Sequence, residues 1–272
     1  MKFLQLIRLS QRKFISITKR ILKILNLSIT TYSNMHFLQN IAKSQNGIYD
    51  TEFLNRLILA GSDKVTKCLK GSKSQFKQDL FVLLELEFKT NGFFVEFGAT
   101  NGIDGSNTFL LEKEFQWSGI LAEPAKIWQS ELRANRSALI EDKCVWKDSG
   151  TKLQFNETDS PGLSTISSFN NSDRYGKVRK NGKSYEVDTI SLNDLLVKYN
   201  APLEIDYLSI DTEGSEFEIL AAMDFGKFNI KVITCEHNFT PSRYNVFNLL
   251  TQHGYTRKYK NLSLVDDWYV KL

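Results

Sequence analysis

Residues 93–102 constrain the fold of this chain more than any other stretch. They read FFVEFGATNG, a short aromatic and valine run that contains Glu96 and leads into a turn with two glycines. Aromatic and β-branched residues favour a strand, and glycine permits the positive φ and close ligand approach of a tight turn. Ser106-Asn107-Thr108 then offers side chains that cap a helix. A buried strand, a glycine turn and a helix start together predict the opening unit of a nucleotide-type cofactor site.

Predicted strands and helices alternate along the rest of the chain. Five further strands are expected at 117–124, 138–146, 185–190, 205–210 and 230–235, and an antiparallel pair at 255–260 and 265–270. Residues 153–155 are expected to pair back on the strand before them as a hairpin. This alternation predicts an α/β fold with a mostly parallel sheet, helices on both faces and a C-terminal antiparallel hairpin. Ligands of such sheets bind beyond the carboxyl ends of the strands. The reactive side chains fall at those ends: Glu96, Glu123, Asp211, Glu213, Glu236 and His237.

Basic residues are concentrated near the N-terminus. Residues 1–30 contain seven lysines and arginines and no acid, whereas the whole chain has a net charge of +4, so the remainder sums to −3. The net negative charge of residues 31–272 gives no electrostatic basis for binding nucleic acid. The sequence therefore predicts a basic, amphipathic N-terminal extension with accessory helices at 1–73, followed by one domain at 74–272.

Residues 1–27 are apolar but interrupted by basic side chains, a pattern that fits neither a signal peptide nor a membrane span. We expect a helix packed on the body with a solvated basic face. The alternative is a helix lying peripherally on an anionic membrane. The three cysteines show no Cys-x-x-Cys spacing and give no disulfide framework. A reducing, cytoplasmic location is therefore the expectation.

The glycine turn and the nearby acids narrow the choice of cofactor. The turn has the spacing Gly98-x-x-x-Gly102, and no Gly-Lys-Ser/Thr follows it, which excludes a Walker phosphate loop. Glu123 lies 21 residues after Gly102, at a predicted strand end where a carboxylate accepts both hydroxyls of a ribose. The negative charge at the other strand ends suits a sulfonium and an α-amino group better than a pyrophosphate.

Several segments resemble the motifs of the FkbM-type S-adenosylmethionine-dependent methyltransferases. They are FVEFGATNG at 94–102 with the following Ser106-Asn107-Thr108, ILAEP at 120–124, IDYLSIDTEGSE at 205–216 and EHN at 236–238. Ser74-Gln75 and Gln78-Asp79 resemble the lead-in helix of the family, so the resemblance covers residues 74–270. It implies a class I methyltransferase (Rossmann-like) fold with a seven-stranded sheet. It also implies O-methylation, most often of a sugar hydroxyl on a glycan or glycosylated metabolite.

The resemblance also implies which residues bind S-adenosyl-L-methionine. The methionine part would be held by Glu96, Gly98, Ala99, Asn101 and Gly102. Glu123 would bind the ribose, and Asp142 is a weaker candidate for the adenine amino group. Ser106 and Asn107 would lie beside the carboxylate end of the cofactor.

A sugar hydroxyl is a poor nucleophile until its proton leaves, so the reaction calls for a general base. His237 is the candidate because it alone among the three histidines falls at a strand end beside acids. Asp211 and Glu213 are rival bases, and they also suit binding of the acceptor's hydroxyls. Together with Glu236 they offer the hard oxygen ligands of Mg²⁺. Hydrogen-bonding roles are preferred to a metal site, and no metal is predicted.

The polar residues 156–184 form a loop long enough to predict a lid or an acceptor-binding loop, with a plain surface insertion as the alternative. Two other function classes stay open: a nucleic-acid or other small-molecule methyltransferase, and a non-enzymatic membrane-associated scaffold. A scaffold has no need of a row of carboxylates. A nucleic-acid enzyme conflicts with the net negative charge of residues 31–272.

Overall fold

A computed structural model describes residues 53, 56, 57, 59–260 and 262–271. The chain forms two compact units, residues 1–70 and 71–272. The first described helix, α1, spans Ser62–Gly71. The greater part of the predicted N-terminal extension, including residues 1–27 and their predicted membrane contact, lies outside the described residues. Among the helices that the structure describes, none has the length and apolarity that a membrane crossing requires.

The larger unit contains eleven strands and six helices among its described residues. The strands are β1 (Phe93–Phe97), β2 (Ser118–Ala122), β3 (Leu139–Glu141), β4 (Cys144–Trp146), β5 (Lys152–Glu157), β6 (Thr165–Ile166), β7 (Lys183–Ser191), β8 (Glu204–Ile210), β9 (Asn229–Glu236), β10 (Tyr255–Lys258) and β11 (Asp266–Lys271). The helices are α2 (Gln78–Glu85), α3 (Phe109–Phe115), α4 (Gln129–Asn135), α5 (Leu192–Lys198), α6 (Glu216–Ala221) and α7 (Ser242–Gln252).

Seven strands form the main sheet in the order β10-β11-β9-β8-β1-β2-β3. Strands β3, β2, β1, β8 and β9 are parallel, whereas β11 is antiparallel to both β9 and β10. The predicted α/β class and the C-terminal antiparallel pair are therefore present, in a sheet that is mixed. The chain builds outward from β1 to β3 and then returns to place β8 on the other side of β1. The switch in strand order consequently falls between β1 and β8, where such sheets form a ligand crevice.

Alternating side chains on β1 show how the sheet is covered on both faces. Val95 and Phe97 join the main core cluster, to which α5, α6 and α7 contribute buried leucines, isoleucine and valine. Phe94 points to the opposite face, where the Arg136 guanidinium lies over its ring. On this face Phe81 of α2 also stacks on Trp268 of β11, with ring centroids 4.8 Å apart. Because both faces are covered, the central strands are apolar along most of their length.

A second sheet, in the order β4-β7-β5-β6, was not predicted. The sequence pattern suggested one strand over 138–146, but the structure divides it into β3 in the main sheet and β4 in the second. The break falls at Asp142-Lys143, two partly exposed polar residues at which the chain leaves the main sheet. β5 and β7 pair in antiparallel register from Lys152↔Asp188 to Glu157↔Lys183. The predicted loop therefore grows from the end of a regular hairpin.

Candidate active site

The turn after β1 touches the end of β8. Phe97 pairs with Ile210, so Gly98 and Asp211 are the next residues of two adjacent parallel strands. Gly98 has φ +73°, and a Cβ at this position would lie 2.0 Å from the Asp211 carbonyl oxygen. Only glycine fits both the left-handed backbone and the contact. This contact places the glycine turn directly against the acidic end of β8.

The buried carboxylate of Glu96 holds the segment after the glycine turn in place. It accepts hydrogen bonds from the backbone N–H of Asn107 (2.7 Å) and from the hydroxyls of Ser106 (3.0 Å) and Thr108. The buried Arg136 guanidinium lies 3.7 Å from the same carboxylate and donates to the Gly102 carbonyl oxygen at 3.0 Å. Glu96 thus ties the end of β1 to the start of α3.

Other residues of the predicted cofactor set also build this turn. The Asn101 side-chain oxygen accepts hydrogen bonds from the N–H groups of Ile103 (3.0 Å) and Asp104 (2.9 Å), and the backbone carbonyl oxygen of Asn101 accepts one from the Asn135 side chain. Asn107 donates to the Ser209 hydroxyl at 2.9 Å, which links α3 to β8. Ala99 and Ser106 are buried in the same region. The structure thus gives these residues partners within the chain, and their contact with a cofactor stays a prediction.

Glu123 follows β2, and its carboxylate is buried beside the turn. One oxygen accepts the Thr100 N–H and the other accepts the Ala125 N–H, both at 2.8 Å. Burial raises the pKa of Glu123 to about 7, although these two N–H groups act in the opposite direction. Each carboxylate oxygen retains a further acceptor site, since a carboxylate accepts about four hydrogen bonds in total.

The cleft along this edge has two parts that share lining residues. An inner cavity of about 70 Å³ is bounded by Glu123 and by the apolar side chains of Phe97, Ala122, Cys144, Val145 and Ile166. An outer cavity of about 430 Å³ opens beside it. The residues common to both are Gly98, Thr100, Pro161, Gly162, Asp211 and Glu213. The predicted residues Gly98, Glu123, Asp211, Glu213 and Glu236 all line this cleft.

The inner cavity is lined by three acids. They are Glu123, Asp211 and Glu213, and the described residues of its lining include no lysine, arginine or histidine. A pyrophosphate would meet these acids, of which Glu213 alone has a cationic partner, Arg179, among the described residues. A ribose with a neighbouring cationic group fits this set of acceptors. Cys144 contributes only an apolar surface, because burial raises the pKa of its thiol to about 12.

Three acids cluster where the inner cavity meets the outer one. Carboxylate oxygens of Asp211, Glu213 and Glu236 all lie within 4.8 Å of one another. Burial and the charge of Glu216 raise the pKa of Asp211 to about 7. Burial and Asp211 raise the pKa values of Glu213 and Glu236 above the ordinary range. Like charges this close do not all ionise together, so the cluster retains protons near neutral pH.

The same cluster meets the simplest requirement for a divalent cation, since carboxylate oxygens are the ligands that Mg²⁺ prefers. Arg179, however, already donates to the Glu213 carboxylate at 2.6 Å and balances part of the charge of the cluster. The predicted hydrogen-bonding role of these acids, in preference to a metal site, stays a prediction.

His237 is buried and directly follows Glu236, the last residue of β9. Its Nδ1 accepts the Phe239 N–H at 2.9 Å, and its Nε2 lies 3.8 Å from the Asp267 carboxylate. Burial lowers the pKa of His237 to about 4, which keeps the ring neutral. Glu236 and Asn238 line the outer cavity, whereas His237 lines neither cavity. The geometry favours its rivals, the acids of the cluster, as the base.

Asp142 also lies apart from the cleft. Its carboxylate is partly exposed and forms an ion pair with Arg133 at 2.6 Å. It lines neither cavity, so its predicted contact with an adenine amino group has no support from this geometry. Apolar residues close the inner cavity instead, including Phe155 of β5 and Ile166 of β6.

The polar segment 158–182, between β5 and β7, is called the cap below. It is folded, with the short strand β6 and three turns of 3-10 helix. Pro161 and Gly162 line both cavities, and Leu163, Arg174 and Tyr175 line the outer one. The sequence predicts a lid or acceptor-binding loop over 156–184, but none of its residues was assigned to the site. The isolated apolar positions Leu163 and Ile166 in a polar stretch were the available signal.

The N-terminal lead-in also reaches the cleft. Gln75 and Phe76, just before α2, line the outer cavity opposite the cap. A backbone bridge between Ser74 and Gly105 holds this segment against the turn that follows β1. The outer cavity therefore has walls from the cap, the lead-in and the ends of β8 and β9.

The sequence of residues 96–258 matches the protein family described as "Methyltransferase FkbM domain". This match covers more than half of the chain, so the protein belongs to the FkbM methyltransferase family and is a methyltransferase. No curated protein matches the sequence at a significant level.

Nine chains among the solved structures match significantly. One of them is described as precorrin-6y C5,15-methyltransferase from Geobacter metallireducens GS-15. It is 12% identical, with a TM-score of 0.39, and the alignment covers 66% of this chain and 71% of that one. At this level of similarity, nothing about the fold or activity of the present chain follows from it.

Proposed function

We propose that the protein is an S-adenosylmethionine-dependent O-methyltransferase with a class I (Rossmann-like) fold, acting on a sugar hydroxyl of a glycan or glycosylated metabolite. Family membership supports methyl transfer. The strand order, with its switch between β1 and β8 beneath the cleft, supports the class I fold. The choice of a sugar as the acceptor rests on the residues that line the outer cavity.

The inner cavity fits the cofactor that the family implies. Glu123 has a free acceptor site on each oxygen for the ribose hydroxyls, and the apolar side chains of Val145 and Ile166 suit the faces of an adenine ring. The acids at the inner end, Asp211 and Glu213, suit the cationic end of the molecule. When bound, S-adenosylmethionine supplies an electrophilic methyl group.

The outer cavity has the chemistry of a polyhydroxylated ligand site. Four carboxylates line it, those of Asp104, Asp211, Glu213 and Glu236, together with the aromatic rings of Phe76 and Tyr175. Carboxylates accept several hydroxyl hydrogen bonds each, and aromatic rings pack against apolar sugar faces. Arg174 is the one basic side chain in this lining. A phosphodiester acceptor would be repelled by the acids, so a nucleic-acid substrate is disfavoured.

Asp211 is the best-placed base in this arrangement. It lines both cavities and therefore lies where the cofactor and the acceptor would meet. Its pKa of about 7 lies near the value at which a general base is most effective at neutral pH. We assign to Asp211 the removal of the hydroxyl proton, and to Glu213 and Glu236 the holding of the acceptor's other hydroxyls.

The test is a methyl-transfer screen with tritium-labelled S-adenosylmethionine. Neutral glycans and glycosides, acidic and phosphorylated sugars, and DNA and RNA are supplied as separate acceptor sets. The proposal expects label in a neutral sugar, on oxygen, as located by mass spectrometry of the product. Label in nucleic acid alone, or binding of nucleic acid that is tight and salt-sensitive, would replace the sugar assignment. Absence of cofactor binding at millimolar concentration by calorimetry would contradict the enzyme itself.

A further inference from the structure

Arg179 is the centre of a small polar core inside the cap. Its side chain is fully buried, with 1% of the residue exposed. Nε donates to the Leu163 carbonyl oxygen at 2.9 Å, and the two terminal nitrogens donate to the two oxygens of Asp173 at 2.8 and 3.0 Å. One guanidinium therefore joins the first half of the cap to the second.

The same guanidinium joins the cap to the acidic cluster. Nη2 donates to the Glu213 carboxylate at 2.6 Å, across 34 residues of sequence. The Thr165 hydroxyl adds a second link by donating to the Glu213 carbonyl oxygen at 3.0 Å. Side chain and backbone of Glu213 are thus both bonded to the cap. Solubility does not explain a buried arginine with these contacts, because an exposed lysine would increase solubility equally well.

The consequence is a defined wall for the outer cavity. Leu163, Arg174 and Tyr175 line that cavity, and each lies at or beside a residue that Arg179 holds. Arg179 itself lines neither cavity. Its backbone N–H donates to the Tyr175 carbonyl oxygen at 3.3 Å, and its own carbonyl oxygen accepts from the Asn156 side chain of β5 at 2.7 Å. It is therefore suited to shape the acceptor site without touching the acceptor.

We propose that Arg179 is a positioning residue that holds the cap against Glu213 and so fixes the wall of the acceptor cavity. This inference rests on the proposed function for the identity of the acceptor, and on the structure alone for the position of the cap. Under this proposal, Arg179 contributes to specificity for the acceptor although it does not line the inner, cofactor-binding cavity.

The experiment compares Arg179→Met, Arg179→Lys and Asp173→Asn with the control Lys152→Met. Lys152 forms an exposed ion pair with Glu186 on the hairpin that carries the cap, so its loss leaves the buried contacts intact. For Arg179→Met we expect kcat/KM for the acceptor to fall by about 10²-fold, mostly through KM, because small misplacements in a site have effects of that size. Cofactor affinity, measured by calorimetry, should change by less than about threefold, well under the tenfold step of 1.4 kcal/mol.

The two milder variants keep the test decisive if Arg179→Met folds poorly. Lysine retains the charge near Glu213 but cannot bond Asp173, Leu163 and Glu213 together, so Arg179→Lys should recover part of the loss in KM. Asp173→Asn should give a smaller rise in KM with an unchanged kcat. Equal losses in kcat and cofactor affinity, or wild-type KM in all three variants, would overturn the proposal.

Amide hydrogen exchange separates this inference from the proposed function. Residues 158–182 should lose protection in the full-length Arg179 variants, while β1 keeps it, because local opening follows the loss of local contacts. If the wild-type protein methylates no sugar, the proposed function fails and the exchange result still decides the role of Arg179. Unchanged exchange in the cap would overturn the positioning role whatever the acceptor proves to be.

Discussion

Glu123 is held by two backbone N–H groups and has no positively charged partner among the described residues. Its carboxylate accepts from Thr100 and Ala125, one oxygen each. This arrangement fixes the direction of the remaining lone pairs toward the inner cavity. A carboxylate in that position recognises hydroxyl groups by geometry and repels a phosphate by charge.

Replacing Glu123 by alanine should weaken cofactor binding. Loss of hydrogen bonds to a charged acceptor costs about 1.5–3 kcal/mol, or about 10- to 100-fold in Kd. Asp142→Ala is the control variant. Because Asp142 forms an ion pair with Arg133, we expect the Kd of this variant for the cofactor to change by less than about threefold, a fraction of a kcal/mol. Calorimetry with S-adenosylmethionine measures both. Unchanged affinity in Glu123→Ala would refute the ribose assignment, and a large loss in Asp142→Ala would restore the adenine assignment.

Asp211 and His237 compete for the role of general base, and geometry separates them. Asp211→Asn should lower kcat by about 10²–10⁴-fold, the usual contribution of a placed base, with cofactor affinity retained. His237→Gln should retain a kcat within about tenfold of the wild type, because a pKa of about 4 makes the ring a weak base and the residue lines neither cavity. For the wild type, kcat/KM should rise with pH through about 7 as Asp211 ionises. Loss of turnover in His237→Gln alone would return the role to histidine.

At the scale of elements, the turn after β1 depends on a backbone contact that no side chain can replace. Gly98→Ala combines a left-handed φ with an overlap against the Asp211 carbonyl oxygen. Gly150→Ala is the matched control, because Gly150 has φ +79° and no atom within 4 Å of the added Cβ.

We expect Gly150→Ala to cost about 1 kcal/mol of unfolding free energy, from the left-handed backbone alone. Gly98→Ala should cost about 3 kcal/mol or more, because overpacking adds to that strain. Urea unfolding measures both. Equal losses in the two variants would show that the contact between β1 and β8 relaxes at little cost.

The elements of the main sheet were predictable because each carries a local signal. Apolar runs ending in Glu96, Glu123 and Asp211 specify buried strands with a polar carboxyl end, and parallel strands bring those ends to one edge. Gly98 and Gly102 were identifiable for the same reason, since a turn between strand and helix calls for glycine.

The second sheet and the cap were not predictable in the same way. The pairing of β4 with β7 joins residues 45 positions apart, Cys144 with Thr189, and no local pattern encodes such a partner. Arg179 likewise sits in a polar stretch whose composition suggests solvent exposure, yet it is buried by contacts with Asp173 and Glu213. His237 follows a strand as predicted, but it lines neither cavity, because position at a strand end does not reveal which side the ring faces. Its role as the base stays a prediction.

At the scale of the whole molecule, buried carboxyl groups link stability to pH. The pKa values of Glu123, Asp211 and Asp266 are each raised to about 7, chiefly by burial. The folded protein therefore binds more protons than the unfolded chain between the ordinary carboxyl pKa and about 7. Stability consequently falls as pH rises through this window. The pKa of His237 is lowered to about 4, which acts in the opposite direction but mainly below pH 6.5.

The melting temperature should therefore be lower at pH 8.5 than at pH 6.5, by on the order of 5 °C for a domain of this size. Differential scanning calorimetry of the protein without added ligand measures the difference. Glu123→Gln removes one of these titrating groups, which also include Glu213 and Glu236, and should flatten the dependence. A melting temperature that rises over this interval would mean that these carboxyls are ionised in the folded protein.

The hairpin of β5 and β7 connects the cap to the rest of the fold. Its two strands stay in register up to Glu157 and Lys183, so everything between them enters and leaves at one point of the scaffold. The acids Glu123 and Asp211 follow β2 and β8, which do not pass through that point, whereas Pro161, Gly162 and Ile166 of the cap line the inner cavity as well as closing the cleft. An exchange of residues 158–182 therefore has to restore two things together: the apolar wall of the inner cavity and a counterpart of Arg179 at Glu213.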